Sequence, residues 1–138
     1  MRWVAFVFLI LGQGVQADPA ALAAINAERA DNRRNALTYD TRLEAVARAH
    51  GQDMARNNFF AHSGSDGSDI AKRLKRGGYR WCFAAENIAV GQRNLGTVMA
   101  AWMASPGHRR NILNRKAQQV GLAHVSGNRW VMVLAAPC

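Results

Sequence analysis

The chain contains little of what usually identifies an enzyme class. It has two cysteines, three prolines and nine acidic residues among 138 positions. It carries no nucleophile elbow, no Cys-His pair, no phosphate-binding glycine loop and no HExxH zinc motif. The two cysteines, Cys82 and Cys138, are isolated and far apart, which argues against a thiolate metal site. These absences leave no support for the common motif-based reactions.

Only one segment is strongly apolar, and it lies at the N-terminus. Residues 1–17 combine Arg2, an apolar run from Trp3 to Leu11 and a small residue, Ala17, at a typical cleavage position. This pattern predicts a secretory signal peptide cleaved after Ala17, with an uncleaved membrane anchor as the alternative. Because no second apolar segment follows, we expect residues 18–138 to form one soluble domain, secreted or periplasmic, with a single core.

Acidic residues are half as common as basic ones. Eighteen Lys and Arg residues against nine Asp and Glu residues give a formal charge of +9, which becomes +8 once Arg2 leaves with the signal peptide. The basic residues are scattered and lack an aromatic stacking motif, which argues against a specific nucleic-acid partner. An anionic envelope or lipid surface, or another extracellular component, suits an exported protein better. A basic solvated surface without a partner is equally compatible, and we expect a monomer.

An even pair of cysteines in an exported protein favours a disulfide. A bond between Cys82 and Cys138 would join the last residue to the middle of the chain. In the chain-entropy description, a loop of this length stabilises the fold by about 4 kcal/mol. We therefore expect both cysteines to be structural.

Hydrophobic periodicity and capping residues predict helices first and strands last. The first predicted helix begins at Pro19, is capped by Asp18 and runs to about Arg33, and the second runs to about Asn57 from either an Asp40 cap or a Thr41–Glu44 capping box. The third is capped by Ser68 or Asp66 and ended by Gly77–Gly78. The fourth spans about Leu95–Ala104, and a short fifth begins at Ser105–Pro106. The predicted extended segments are Tyr79–Val90, in part, and a hairpin of Val120–Val125 and Arg129–Ala135 around Ser126–Gly127–Asn128. This order indicates an α+β domain with helices packed on a small sheet.

The four histidines occupy different environments. His50 lies on the apolar stripe of the second helix and is expected to be packed and hydrogen-bonded, whereas His124, beside a turn, is expected at the surface. His62 follows an aromatic pair in a polar loop, where its ring can be held while one edge faces solvent. His108 is at the third position of the fifth helix, whose positive dipole end should disfavour imidazolium. A metal ligand or general base needs neutral imidazole, and a bond to a backbone carbonyl is the alternative role for His108.

Glu86 is a carboxylate inside an apolar run, FAAENIAVG. Its burial would be costly unless hydrogen-bond donors or a cation compensate, and His62 and His108 are partners of the right type. His62 precedes Glu86 by 24 residues and His108 follows it by 22, spacings that match no local zinc motif. Their proximity therefore depends on the fold. The hydroxyl of Ser105 is expected to cap the helix that carries His108.

Four blocks together resemble the CAP superfamily of cysteine-rich secretory proteins, antigen 5 and pathogenesis-related proteins, specifically its compact bacterial branch with SCP-like extracellular domains. The blocks are NAERADNRRNALTYDTRLEAVARAH, MARNNFFAHSGSDGS, AENIAVG and WMASPGHRRNIL, followed by VGLAH and WVMVLAAP. They occur in the order typical of the family and span nearly all of residues 18–138. AENIAVG and the SPGHRRNIL segment are the most specific of them.

The resemblance implies a three-layer α-β-α sandwich with a small central antiparallel sheet. It implies an open cleft lined by His62, His108 and the Glu86 carboxylate. Eukaryotic members carry a second cleft glutamate three positions after the tryptophan, and this chain has Ser105 there. Some relatives bind zinc or another divalent ion at these histidines, some bind sterols or fatty acids elsewhere, and proteolytic activity has been proposed for others.

Three functions of different classes are compatible with these residues. The first is an extracytoplasmic binding module that holds a divalent metal ion, Zn²⁺ foremost, or a small or lipid ligand. The second is a peptidase-like, metal-dependent hydrolase, with the ion on His62 and His108 and Glu86 as base or orienting group. The third is a structural His–Glu cluster that ties loops to the sheet. A catalytic zinc usually has three protein ligands, and Glu86 cannot easily be both ligand and free base, so binding is favoured.

Overall fold

The computed structural model describes residues 18–138, so the predicted signal peptide in residues 1–17 lies outside the described residues. Within residues 18–138, no helix has both the length and the apolar character needed to cross a membrane. The elements are α1 (Pro19–Asp31), β1 (Thr38–Tyr39), α2 (Thr41–Arg56), α3 (Ile70–Arg76), β2 (Trp81–Val90), α4 (Leu95–Ala104), α5 (Pro106–Ile112), β3 (Gln119–Val125) and β4 (Arg129–Pro137).

The four strands form one sheet in the order β1-β3-β4-β2. The hairpin of β3 and β4 is antiparallel, as predicted, and β2 pairs antiparallel with β4 along its whole length. The two-residue β1 is parallel to β3 and lies between the first two predicted helices, where no strand was predicted. Two residues carry no detectable periodicity, so β1 becomes a strand only because it reaches the edge of β3.

Strand β4 shows why the domain has three layers. Side chains alternate between the two faces of a strand, and both faces of β4 are buried. One face packs against α1, α4 and α5, and the other packs against α2 and α3. The two alternating sets of β4 are Trp130, Met132 and Leu134 on the first face and Val131, Val133 and Ala135 on the second. The predicted α-β-α sandwich is confirmed.

Aspartates cap the N-termini of the first three helices, and only the cap of α3 differs from the predicted residue. Asp18 accepts a hydrogen bond from the Ala20 amide, and Asp40 rather than a capping box begins α2. Glu44 does not reach back to its own helix start, because its carboxylate accepts from the Tyr39 hydroxyl.

The cap predicted for α3 is wrong. Asp69 is the cap, accepting from the Lys72 amide at 2.8 Å, and neither Ser68 nor Asp66 has this role. The carboxylate of Asp66 instead accepts a hydrogen bond from the Ser68 amide within the preceding loop and another from the Arg76 side chain at the end of α3. Sequence alone does not distinguish three closely spaced polar residues that can each cap a helix.

Ser105 also departs from its predicted role. It is the residue between α4 and α5, but its hydroxyl makes no capping hydrogen bond. Its backbone is extended, at φ −101° and ψ 119°, as expected for the residue before a proline. Ser105 links the helices through its backbone alone, donating to the Trp102 carbonyl and accepting from the Arg109 amide.

Cys82 and Cys138 form the predicted disulfide, which spans 56 residues with a Cα–Cα distance of 4.8 Å. The bond joins the start of β2 to the residue that follows β4. The Cys138 amide donates to the Arg80 carbonyl at 3.1 Å, so the last residue is held by a hydrogen bond as well. The disulfide therefore secures the end of β2 opposite to its exit into α4.

Gly121 in β3 lies directly beneath the first turn of α2. A Cβ atom at this position would lie 2.8 Å from Cα of Glu44 and closer still to the Leu43–Glu44 peptide. These are backbone atoms of a helix and cannot rotate away. The missing side chain at position 121 thus sets how closely α2 approaches the sheet.

We expect Gly121→Ala to lower the free energy of unfolding by about 3 kcal/mol or more, because the helix must move off the sheet to admit a methyl group. Gly96→Ala is the matched control, since a Cβ there meets only the Asn94 side chain at 3.6 Å. That control should be neutral or stabilising by up to about 1 kcal/mol. Urea unfolding of both variants measures the difference, and equal stabilities would contradict the packing argument.

Candidate functional site

The candidate site is built around Glu86, a carboxylate on β2 whose side chain is only 3% exposed. Its Oε1 atom accepts from His62 Nδ1 at 2.8 Å, and its Oε2 atom accepts from Arg73 Nη2 at 2.8 Å. The requirement that a buried carboxylate finds donors or a cation is thus met twice. The structure confirms the predicted contact with His62 and adds a guanidinium that was not predicted.

Arg73 on α3 is the residue that sequence reasoning missed. Its side chain is buried, and it donates to the Ser68 carbonyl at 2.8 Å as well as to Glu86. It lies in a short basic helix, IAKRLKR, where nothing in the pattern separates a buried arginine from its exposed neighbours. The available signal was indirect, because a buried Glu86 required a permanent cation in a chain rich in arginine.

His62 lies in the loop between α2 and α3, and its side chain is 62% exposed. The hydrogen bond to Glu86 raises the pKa of His62, although partial burial opposes the shift. With its Nδ1–H group donated to the carboxylate, the neutral ring keeps a lone pair on Nε2. One nitrogen is therefore anchored and the other is available to a ligand.

His50 supports the loop that carries His62. It is fully buried on α2, as predicted, and its Nε2 donates to the carbonyl of Ala61 at 2.8 Å. The same nitrogen lies 3.9 Å from Glu86 Oε1. Burial lowers the pKa of His50, which keeps the ring neutral. His50 thus fixes the backbone one residue before His62.

His108 on α5 is half-buried, and its pKa is lowered, as expected for a neutral imidazole. Burial is the main cause and the nearby charge of His62 is the second, and the direction of the shift agrees with the prediction. The influence of His62 indicates that the two rings share one region. Among the described residues, the ring of His108 has no hydrogen-bond partner.

Two asparagines connect β2 to α5 and hold His108 in place. Asn87 is fully buried and donates to the His108 carbonyl at 3.0 Å. Asn111 donates to the Asn87 side chain at 2.9 Å and to the Glu86 carbonyl at 3.3 Å. Because consecutive residues of a strand face opposite sides of the sheet, Glu86 faces the α2–α3 layer while its neighbour Asn87 faces α5. Glu86 and Asn87 thus connect β2 to both helix layers.

Ser105 and His124 make no hydrogen bond to this cluster among the described residues. Within residues 18–138, no hydrogen bond joins Ser105 to His62, Glu86 or His108. His124 is exposed, as predicted, and its ring stacks on Trp130 with centroids 3.7 Å apart. A cavity of about 430 Å³ adjoins the cluster between α2 and α3, and His50 and Arg73 are among its lining residues.

The donor set suits a metal ion only through the two imidazoles. In the described part of the chain, no group of three or more His, Cys, Asp or Glu side chains is arranged to hold a metal. A histidine that donates one nitrogen to a carboxylate and offers the other is, however, a common arrangement at metal sites. His62 has this arrangement with Glu86, and His108 supplies a second neutral ring. Such a site would leave several coordination positions open.

A three-layer α-β-α sandwich with a His–Glu cluster at the edge of its sheet defines the class of this protein. The family model described as "CAP: Cysteine-rich secretory protein family" matches residues 22–135. The chain therefore belongs to the CAP family, and the resemblance carried by its four sequence blocks is confirmed.

Several bacterial proteins are similar to this chain. Protein YkwD of Bacillus subtilis (strain 168) is 40% identical over 106 residues, covering 76% of this chain and 41% of that protein. Membrane protein YlbC of the same organism is 31% identical over 86 residues, covering 62% and 25%. This chain thus spans less than half the length of either relative.

Solved structures show the same fold. An extracellular SCP-domain protein of Bacillus anthracis str. Ames superposes with a TM-score of 0.80 at 28% identity, covering 84% of this chain and 39% of that chain. An outer surface protein of Borrelia burgdorferi also has a TM-score of 0.80, at 22% identity, covering 86% of this chain and 91% of that chain. The second likeness supports the fold alone.

We expect Glu86→Gln to lower the pKa of His62, because a neutral amide stabilises the imidazolium less than a carboxylate 2.8 Å away. Titration of the His62 ring protons by NMR measures the change. Glu28→Gln is the matched control, since Glu28 takes part in no ion pair among the described residues, and it should leave the His62 titration unchanged. An unaltered pKa of His62 in Glu86→Gln would show that the contact between His62 and Glu86 does not persist in solution.

Proposed function

We propose that this CAP domain is an extracytoplasmic binding module whose cleft holds a divalent metal ion, Zn²⁺ foremost, on the rings of His62 and His108. The observation that carries the proposal is the 2.8 Å contact between His62 Nδ1 and Glu86 Oε1. It fixes the tautomer of the neutral ring so that Nε2 is the free nitrogen. The lowered pKa of His108 favours the deprotonated form that a metal ligand needs.

The surrounding residues support this role without contacting the ligand. Arg73 balances the charge of Glu86, which in turn orients His62. His50 holds the loop backbone, and Asn87 holds the backbone of His108. A bound divalent ion would supply Lewis acidity and two or more open positions for a further ligand. The same residues could instead bind a small molecule or a lipid directly, without a metal ion, and this is the second ligand class that we propose.

Binding is favoured over the alternative, a peptidase-like hydrolase that uses Glu86 as its base. Both oxygens of Glu86 already accept hydrogen bonds, one from His62 and one from a buried guanidinium. A carboxylate held in this way is well placed to orient an imidazole and poorly placed to take a proton from water. The hydroxyl of Ser105 has no contact that would assign it a chemical role.

We place the protein outside the cytoplasm, secreted or periplasmic. The Cys82–Cys138 disulfide suits an oxidising compartment, and the Bacillus anthracis structural neighbour is described as an extracellular protein. Residues 1–17 have the sequence pattern of a signal peptide. Envelope components or an anionic surface are the partners that we propose for a monomeric domain of this charge.

Zinc binding tests the proposal directly. Calorimetric titration of Zn²⁺ into the metal-free protein should give saturable heat, and His62→Ala and His108→Ala should each abolish it. His124→Ala is the matched control, because His124 is exposed and its ring bonds only the Asn128 side chain among the described residues. This variant should bind zinc as the wild-type protein does. Absence of heat with the wild-type protein, or equal loss in all three variants, would refute the metal site.

The supporting contacts predict two further effects on the same titration. Glu86→Gln should weaken zinc binding by about 10–100-fold, the usual cost of removing the carboxylate behind a metal-binding histidine. Because the pKa of His62 is raised, protons should displace zinc at a higher pH than for an ordinary histidine pair. The apparent affinity should therefore fall as the pH drops through that raised value, and a flat profile would contradict the role of His62.

A further inference from the structure

A second region of the molecule gathers positive charge without using the histidine cleft. A groove of about 450 Å³ lies beside α5, and four of its seven lining residues are arginines. The arginines are Arg34, Arg109, Arg110 and Arg115, and the remaining lining residues are Pro106, Leu113 and Asn114. This density of guanidinium groups is unusual even for a chain with an excess of basic residues.

The described residues do not neutralise the positive charge of this groove. No Asp or Glu lines it, and none of its four arginines forms an ion pair within 4.0 Å of any residue in the described range 18–138. Other arginines of the chain do pair, since Arg42, Arg73 and Arg76 each contact a carboxylate. The groove is thus a local cluster of four arginines without ion pairs, whereas several arginines elsewhere on the described surface are paired with carboxylates.

Two of the arginines are held in place by hydrogen bonds to nearby uncharged acceptors. Arg34 donates to the carbonyls of Leu113 and Asn32, at 2.8 and 2.9 Å. Arg109 donates to the Asn32 side chain at 2.7 Å. These bonds orient the guanidinium planes without balancing their charge. The groove consequently presents hydrogen-bond donors to an incoming group.

A fifth guanidinium, which does not line the groove, bonds the backbone next to it. Arg29 on α1 is buried and donates to the carbonyls of Ile112 and Asn114 at 2.8 and 3.0 Å. Burial and the charge of Arg34 both lower the pKa of Arg29, which shows that like charges are crowded here. An anion of complementary charge would relieve this repulsion.

We propose that the groove beside α5 binds a phosphate-bearing anion with two or more negative charges, through Arg110, Arg115 and the oriented Arg34 and Arg109. Guanidinium groups match the geometry of phosphate oxygens and bind them in a bidentate manner, so several arginines around one groove suit closely spaced phosphates. The shared chemistry is that of a free oligophosphate or of phospholipid headgroups. The site uses other side chains than the metal cleft and does not depend on the metal.

Tripolyphosphate and lipid vesicles are the two probes. Tripolyphosphate binding is measured by calorimetry, and vesicle binding by co-sedimentation with phosphatidylglycerol in phosphatidylcholine, against phosphatidylcholine alone. The test variant is Arg110→Gln with Arg115→Gln, because neither side chain makes a hydrogen bond to the described residues and the fold should be unaffected. Lys75→Gln with Arg80→Gln is the matched control, which removes the same charge from exposed positions at a different pocket.

We expect the Arg110/Arg115 variant to lose at least tenfold in affinity, and the Lys75/Arg80 variant to change less than twofold. Binding of both probes, or of tripolyphosphate alone, assigns the groove to free oligophosphate; binding of anionic vesicles alone assigns it to headgroups in a bilayer. Arg110→Lys with Arg115→Lys should bind the probe more weakly than the wild type does. The positive charge remains, but the planar guanidinium that contacts two phosphate oxygens at once is lost. No binding of either probe, equal losses in the two glutamine variants, or full affinity in the lysine variant would overturn the proposal.

Discussion

The ion pair between Glu86 and Arg73 is the interaction on which the candidate site depends. Removing one partner of a buried pair costs about 3–5 kcal/mol, because a charge is left without compensation. Arg73 therefore holds α3 against β2, and the second carboxylate oxygen is left for His62. The position of the exposed His62 ring thus follows from a charge buried beneath it. His50 adds a contact with the backbone of the same loop, at Ala61, so the loop that carries the ring is held as well.

The alternation of side chains along β2 explains why this strand contacts both helix layers at the candidate site. Consecutive residues of a strand face opposite sides, so Glu86 contacts the layer of α2 and α3 while Asn87 contacts α5. The disulfide at one end of β2 and its pairing with β4 keep this edge strand in register. On α5, His108 and the arginine groove are then neighbours in sequence but belong to different sites.

Much of the fold was predictable from local patterns. The helices, the hairpin and the disulfide follow from periodicity, turn residues and the parity of the cysteines. Of the two histidines that the sequence offered as partners for Glu86, His62 forms a hydrogen bond with it and His108 does not. The caps of α3 and α5 were predicted wrongly, since Asp69 acts where Ser68 or Asp66 was expected and Ser105 makes no cap bond. Strand β1 was missed because two residues form a strand only when a partner edge is present.

The sequence by itself determined most of the elements and the α+β class, because amphipathic periodicity, capping and strand alternation act over a few neighbouring residues. The sandwich and the residues of the cleft were expectations from the resemblance to the CAP family. It also indicated that Glu86, in an apolar run, needed a compensating partner. Only the tertiary structure decided that Arg73 is that partner, that His50 supports the loop and that four arginines surround one groove. Burial and distance between residues far apart in the chain decide which cations meet a carboxylate and which remain unpaired, and no local pattern carries that information.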